Sequence, residues 1–299
     1  MATVSAPTTR RLPRSRRTFD RVAAPLAFLA FIVALWKVAL WEEWMSNTVL
    51  PHPEDVVTSL VDLTFSDIIW DDVGATLWEA VAGFILGSCL GLALAIPAAL
   101  SNVLRTMLHP YAIGLQVTPR IAIAPIIIAW AGFGYSSKIW IAAIIAFFPV
   151  YVNALTGILT VDEDSREMFR SLGASKWQTF TRLMVPSSLP VMFAGLKTAS
   201  GLALVGAVVG EFISAQRGLG VLVQQFSYQL AVDDAFAIIF ILMLLGLLMY
   251  GVMEWIERTT VFWLHDKRLT SRSKRRAAKA AKRQGGVTSE TKPRLAAHR

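Results

Sequence analysis

The side chains that do covalent or metal chemistry are few in this chain, and they are spread apart. Cys89 is the single cysteine, and the four histidines, His52, His109, His265 and His298, are scattered. Neither a disulfide framework nor a thiolate metal site can be assembled from them, so no metal is expected. No G-x-x-x-x-G-K-[ST] sequence occurs. The run "GFGYSSK" at 132–138 has the wrong spacing and follows an apolar stretch, so the chain is not expected to hydrolyse nucleotide. There is also no Ser-His-Asp set, no H-E-x-x-H and no dinucleotide fingerprint. The expectation is a protein that is not an enzyme and binds no cofactor of its own.

The polar residues that do stand out lie inside apolar surroundings. In "QVTPRIAIAPIIIAWAGFG", Pro119 and Pro125 bracket Arg120. Each proline removes a backbone donor and crowds the preceding turn, so a helix here is expected to be kinked or discontinuous. An arginine at membrane depth is costly unless it faces protein or water. Two placements of Arg120 are open: lining a polar pathway, or at the cytoplasmic boundary of a span that starts near Ile121. Glu211, followed by "FISAQRGLG", interrupts a second apolar region together with Gly218 and Gly220. These residues shape either an outward gate or an ordinary interfacial helix end.

The elements that must hold such residues are set by composition. Hydrophobic residues make up 55% of 299 positions, charged residues 17%, and mean hydropathy is +0.52. Soluble domains carry about a quarter charged residues. Six apolar runs, at about 22–41, 73–99, 108–131, 139–159, 189–210 and 235–256, each reach the ~20 residues that a helix needs to cross a bilayer. They do not alternate as barrel strands do. The expected fold is therefore an all-α membrane protein with six transmembrane helices. A cleaved signal peptide is the competing reading of the first run, but the run is too long for one and no small-x-small site follows. Lys37 near its far end can snorkel, and Trp36, Trp41 and Trp44 fit an interfacial belt.

The net charge of +8 is distributed by topology and does not form a binding face. Of 29 Lys and Arg, 19 lie in the first 21 residues or from Arg258 onward, and none lies between Ala39 and Leu104. A nucleic-acid surface would need basic groups on a folded face. The positive-inside rule instead puts both tails, 1–21 and 263–299, in the cytoplasm and the acidic 42–72 stretch outside. Two cytoplasmic ends agree with an even number of crossings. Residues 45–72, with "LPHPEDVV", read as a loop and a short surface helix. In the second span Gly83, Gly87 and Gly91 recur every four residues, a stripe that admits a close neighbouring helix.

Between the fourth and fifth spans lies "TVDEDSREMFRSLGASKWQTFTRLMVPSSLP". Asp162, Glu163 and Asp164 favour a helix start. Met168, Phe169, Leu172, Trp177 and Phe180 offer apolar anchors, Gly173 allows a sharp bend, and Glu167 and Arg170 can brace the first helix. This helix–Gly–helix hook suits docking of another protein.

The spacing Glu167, Gly173, Leu183, Val185, Pro186 resembles the EAA loop of permease subunits in binding-protein-dependent ABC importers. Met168 and Phe169 replace its two usual alanines. The wider resemblance covers roughly residues 49–257 and points to the nitrate/sulfonate/taurine branch. It is carried by "VLPHPEDVV", "TPRIAIAPIIIAWAGFGYSSK", "FFPVYVNALTGI", "SLGASKWQTF" (including Ala174), "VPSSLPVMFAGLKTASGLALVGAVVGEF" and "GLGVLV". Permeases for thiamine pyrimidine precursors or riboflavin look similar. The resemblance implies a type I importer permease domain over 22–262 with its coupling loop at 162–186. It also implies two ATP-hydrolysing ATPase partners, an extracytoplasmic solute-binding protein, and a second permease copy or close homologue. The expected solute is a small anion or a heterocycle. A secondary transporter or a non-transporting membrane scaffold is the alternative, but neither gives the hook a role.

Overall fold

The computed structural model describes residues 14–42, 49–214 and 216–263. Trp44 and most of the two basic tails, 1–13 and 264–299, lie outside the described residues. Every regular element within them is helical. In order these are α1 (Arg14–Trp41), α2 (Pro53–Phe65), α3 (Ile68–Leu100), α4 (Asn102–Val117), a 3-10 turn (Arg120–Ile123), α5 (Ala124–Ala131), α6 (Tyr135–Leu159), α7 (Glu163–Ser171), α8 (Lys176–Thr179), a π turn (Phe180–Met184), α9 (Val185–Ser214), α10 (Leu219–Tyr228) and α11 (Val232–Thr260). The short surface helix is α2, started by Pro53 in its first turn, where a missing N–H costs nothing.

The expectation of six long spanning helices needs correction. Among the described residues, five helices are long and apolar enough to cross a membrane: Ala23–Trp41, Ile69–Leu100, Tyr135–Leu159, Lys176–Ser214 and Val232–Thr260. The run expected at 108–131 is divided among α4, the 3-10 turn and α5, with only Ile121–Ala131 as a short apolar helix. The cause is local. Pro119 has extended backbone (φ −65°, ψ 97°) as the N-cap of the 3-10 turn, and Pro125 occupies the first turn of α5. Neither proline can continue an i→i−4 ladder from α4. The other helices overrun their apolar windows by several residues, because backbone hydrogen bonding continues past the last apolar side chain. α1 likewise starts at Arg14, inside the stretch expected to be a polar tail.

The chain forms two compact units, one of residues 1–75 and 215–244, the other of 76–214 and 245–299. In the first, Trp36 Nε1 donates to Pro51 O (3.1 Å) and its ring lies 5.8 Å from that of Phe236. Lys37 pairs with Glu54 on α2, and that hydrogen bond holds the exposed Glu54 carboxyl below its usual range. Ser59 Oγ donates to Asp233 (3.3 Å), and the Gly218 N–H donates to Asp72 (2.7 Å).

The second unit is organised around α6, of whose apolar window 67% is buried. Added Cβ atoms at Gly83 and Gly87 would sit 2.4 Å from Ala142 Cβ and from Ala143 O, and one at Gly91 would sit 2.9 Å from Phe147 O. α3 therefore lies backbone-close to α6 along this stripe. On α9, Gly195 meets Pro149 O and Asn153, while Gly206 meets Ala142 and Gly210 meets Lys138. α6 is thus gripped by two helices that present little but backbone to it, the packing that membrane helices use when lipid supplies no hydrophobic drive. By contrast, none of the apolar window of α1 is buried. Its Leu29, Phe31 and Leu35 are exposed, as a lipid-facing surface requires.

Candidate functional site

The hook between α6 and α9 is built by short-range capping. The Asp162 side chain accepts from Ser165 N (3.2 Å) and Ser165 Oγ (2.8 Å), capping α7. Acidic Glu163 and Asp164 occupy the positive end of the helix. At the other end, Ala174 N donates to Phe169 O (3.0 Å) and Gly173 N to Arg170 O (2.9 Å), the paired bonds of a Schellman stop. That stop demands a left-handed residue, and Gly173 has φ +73°. Nothing lies within 4 Å of where its Cβ would be, so backbone angle alone requires glycine. α8 then starts with a capping box in which Ser175 Oγ accepts from Gln178 N and the Gln178 side chain accepts from Ser175 N.

The root of the hook is anchored. Phe180 and Met184 are buried with Ile158 at the end of α6, so Leu183, Val185 and Pro186 lead directly into α9. Arg166, a residue that sequence reasoning passed over, donates to Ile158 O (3.0 Å). It thereby ties α7 to the carbonyl end of α6, where a cation is favoured. Glu163 lies 3.7 Å from Arg166 and 3.9 Å from Arg170, while Glu167 is exposed. The bracing charge is therefore mainly Arg166. What remains for a partner is apolar: Met168, Leu172 and Trp177 are 53%, 76% and 69% exposed, with the Trp177 ring 5.7 Å from that of Phe180.

The other singled-out residues fall in two places. Pro119, Arg120 and Pro125 border the broken segment. Beside it is a depression of about 410 Å³ lined by Ile127, Trp130, Ala131, Ser136, Trp140 and Ile144. Gly218, at φ +127°, caps α10, and Gly220 is buried in its first turn. Glu211 is buried on α9, where Thr76 Oγ1 donates to its Oε1 (2.6 Å). Nearby in the same unit Lys138 Nζ donates to Glu79 Oε1 (2.9 Å), both groups buried. This ion pair was also missed, although Lys138 and Glu79 are isolated charges in apolar runs. Among the described residues, no group of three or more His, Cys, Asp or Glu could hold a metal ion.

An exposed, rigidly capped hook between spanning helices matches a known architecture. Residues 87–261 match the family described as "Binding-protein-dependent transport system inner membrane component". The chain belongs to this family. The permease is 32% identical over 251 residues to the formylaminopyrimidine transport permease protein of Halalkalibacterium halodurans, covering 83% of this chain and 98% of that one. It is 34% identical over 240 residues to the aliphatic sulfonates transport permease protein of Escherichia coli, described there as putative, covering 80% and 91%. An inward-facing structure of the MetNI methionine ABC transporter shares its fold, with a TM-score of 0.57 at 16% identity over 66% of this chain and 99% of that one. The permease is thus an all-α, multi-pass membrane subunit of an ABC importer, and ATP hydrolysis is not its own chemistry.

Proposed function

We propose that the permease forms one half of a six-crossing translocation unit, with the broken α4–α5 segment completing the sixth crossing and both termini cytoplasmic. The hook at 162–186 docks in a groove of a cytoplasmic ATPase subunit, one for each permease half. A homologous or identical permease supplies the other half, and an extracytoplasmic binding protein delivers solute.

The observation that carries this reading is the hook. Its backbone is fully satisfied by its own caps, and it nevertheless displays Met168, Leu172 and Trp177. Apolar anchors on a pre-ordered element lose little entropy on docking and can dominate an interface. Closure of the ATPase pair would push on α7 and, through Arg166 and the buried Phe180 and Met184, on the ends of α6 and α9. Pro119, Arg120 and Pro125 would border the route beside the aromatic depression. Gly218 and Gly220 would shape its outward end, with Glu211 acting through the packing of α9. The two relatives bracket the solute as a small sulfonate-like anion or a heterocycle. The Trp130 and Trp140 indoles beside α5 favour the flat heterocycle, because ring faces stack.

Purification of the permease with its ATPase and binding protein, followed by a screen of sulfonates and pyrimidines, tests this. The reading predicts ATPase activity stimulated by binding protein loaded with one of these solutes. No stimulation by any loaded form in an intact complex overturns it.

A further inference from the structure

Four polar side chains meet inside the second unit where α3, α6 and α9 converge: Thr76 and Glu79 from α3, Lys138 from α6 and Glu211 from α9. All are at least nine-tenths buried, with Glu79 at 0%, Glu211 at 1% and Lys138 at 5% exposure. Thr76 and Glu79 stand one turn apart on the same face of α3. Gly210, next to Glu211, packs against the Lys138 stem. Glu211 reaches Thr76 and also lies in hydrogen-bonding contact with Glu79. α5, which packs on α6 and α9, brings no charge ("APIIIAWA"). Lys197 and Glu257 pair with each other, and Lys197 lies 14 residues down α9 from Glu211, about 21 Å away at the helical rise.

Two carboxyls and one ammonium leave one uncompensated negative charge if every group is ionised. Buried like charges in contact cannot both persist. The donor count shows the same gap. Lys138 donates to Glu79 Oε1, and Thr76 donates to Glu211 Oε1, whereas the buried Glu79 Oε2 has no donor among the described side chains. A buried acceptor left without a donor is costly.

We propose that Glu79 and Glu211 hold one resident proton between them, carried on Glu211 and donated to Glu79 Oε2. The site then closes as a neutral relay: Thr76 O–H to Glu211, Glu211 O–H to Glu79, and Glu79 carboxylate to Lys138. It fastens three spanning helices at one level of the membrane, and the proton stays in place during transport.

Infrared spectroscopy on the full chain in lipid nanodiscs, with ¹³C-labelled glutamate at neutral pH, reads the proton directly and needs neither partner nor solute. A failure here therefore leaves the transport reading standing. The wild type should show a carbonyl stretch of a protonated carboxyl that Glu211→Gln abolishes. Lys138→Met should double the band, since both acids must then be neutral. Glu211→Gln should keep its melting temperature and solute uptake within about twofold of wild type, because its amide N–H replaces the proton as donor, whereas Glu211→Leu should lose most of both. No such band in the wild type, or a band unchanged in both Glu79→Gln and Glu211→Gln, overturns the assignment. Uptake lost in Glu211→Gln with the fold intact would overturn the resident role and make the proton a moving one.

Discussion

Gly173 and Arg166 show how single positions set the hook. The space around Gly173 is open, so a substitution there fails through φ +73° and not through a clash. An L side chain in the left-handed region costs about 1–2 kcal/mol, enough to trade the Schellman stop for another path. We expect Gly173→Val to insert at near-normal abundance but to lose ATPase association or stimulation by loaded binding protein. A pull-down combined with uptake in reconstituted vesicles checks this, and wild-type behaviour in both would reduce 162–182 to a solvated connection. Glu167→Lys should be milder, because Glu167 is exposed and the anchoring charge is Arg166. For Arg166→Ala the loss of a charged hydrogen bond to Ile158 O is worth about 1.5–3 kcal/mol. Faster amide exchange throughout α7, with α6 unchanged, is the expected signature in hydrogen-exchange measurements.

At the scale of elements, the close approach of α3 to α6 governs the second unit. A side chain at Gly87 would run into the Ala143 carbonyl at 2.4 Å, and backbone cannot rotate away as a side-chain tip can. Gly87→Leu should cost at least the ~1–3 kcal/mol typical of overpacking and lower the abundance of folded permease in membranes. Gly74, on the same helix, has nothing within 4 Å of its added Cβ, so Gly74→Ala should be neutral. Equal abundance of the two variants would mean that the glycine stripe does not set this packing. The broken α4–α5 segment follows a different logic. Its two prolines forbid a continuous ladder, and a short helix beside a depression is tolerated at membrane depth where it faces protein or water.

For the whole molecule the open question is sidedness. Six crossings place Thr58, exposed on α2, outside and Ser289 inside. Cysteine labelling must start from a Cys89→Ser background, because Cys89 is itself exposed. An impermeant thiol reagent added outside should modify Thr58→Cys and spare Ser289→Cys. Reaction at both would mean an odd number of crossings and would count the α4–α5 segment as re-entrant. The five uninterrupted helices make this test decisive, since the topology turns on that one segment.

Membrane class, helix count to within one, and the hook's position were all legible along the chain. Each depends on local quantities: apolar run length, charge asymmetry, and spacing such as Glu167–Gly173–Pro186. The discontinuity at Pro119 and Pro125 was legible too, because proline acts on its own backbone. Only the tertiary structure decided what required partners distant in sequence. Arg166 reaches back to Ile158 O, Asp72 receives the Gly218 N–H, and Glu79 meets Lys138 and Glu211 from two other helices. A lone charge in an apolar run says only that it must be satisfied. Which group satisfies it depends on how helices with little but backbone at their contacts come to rest against one another.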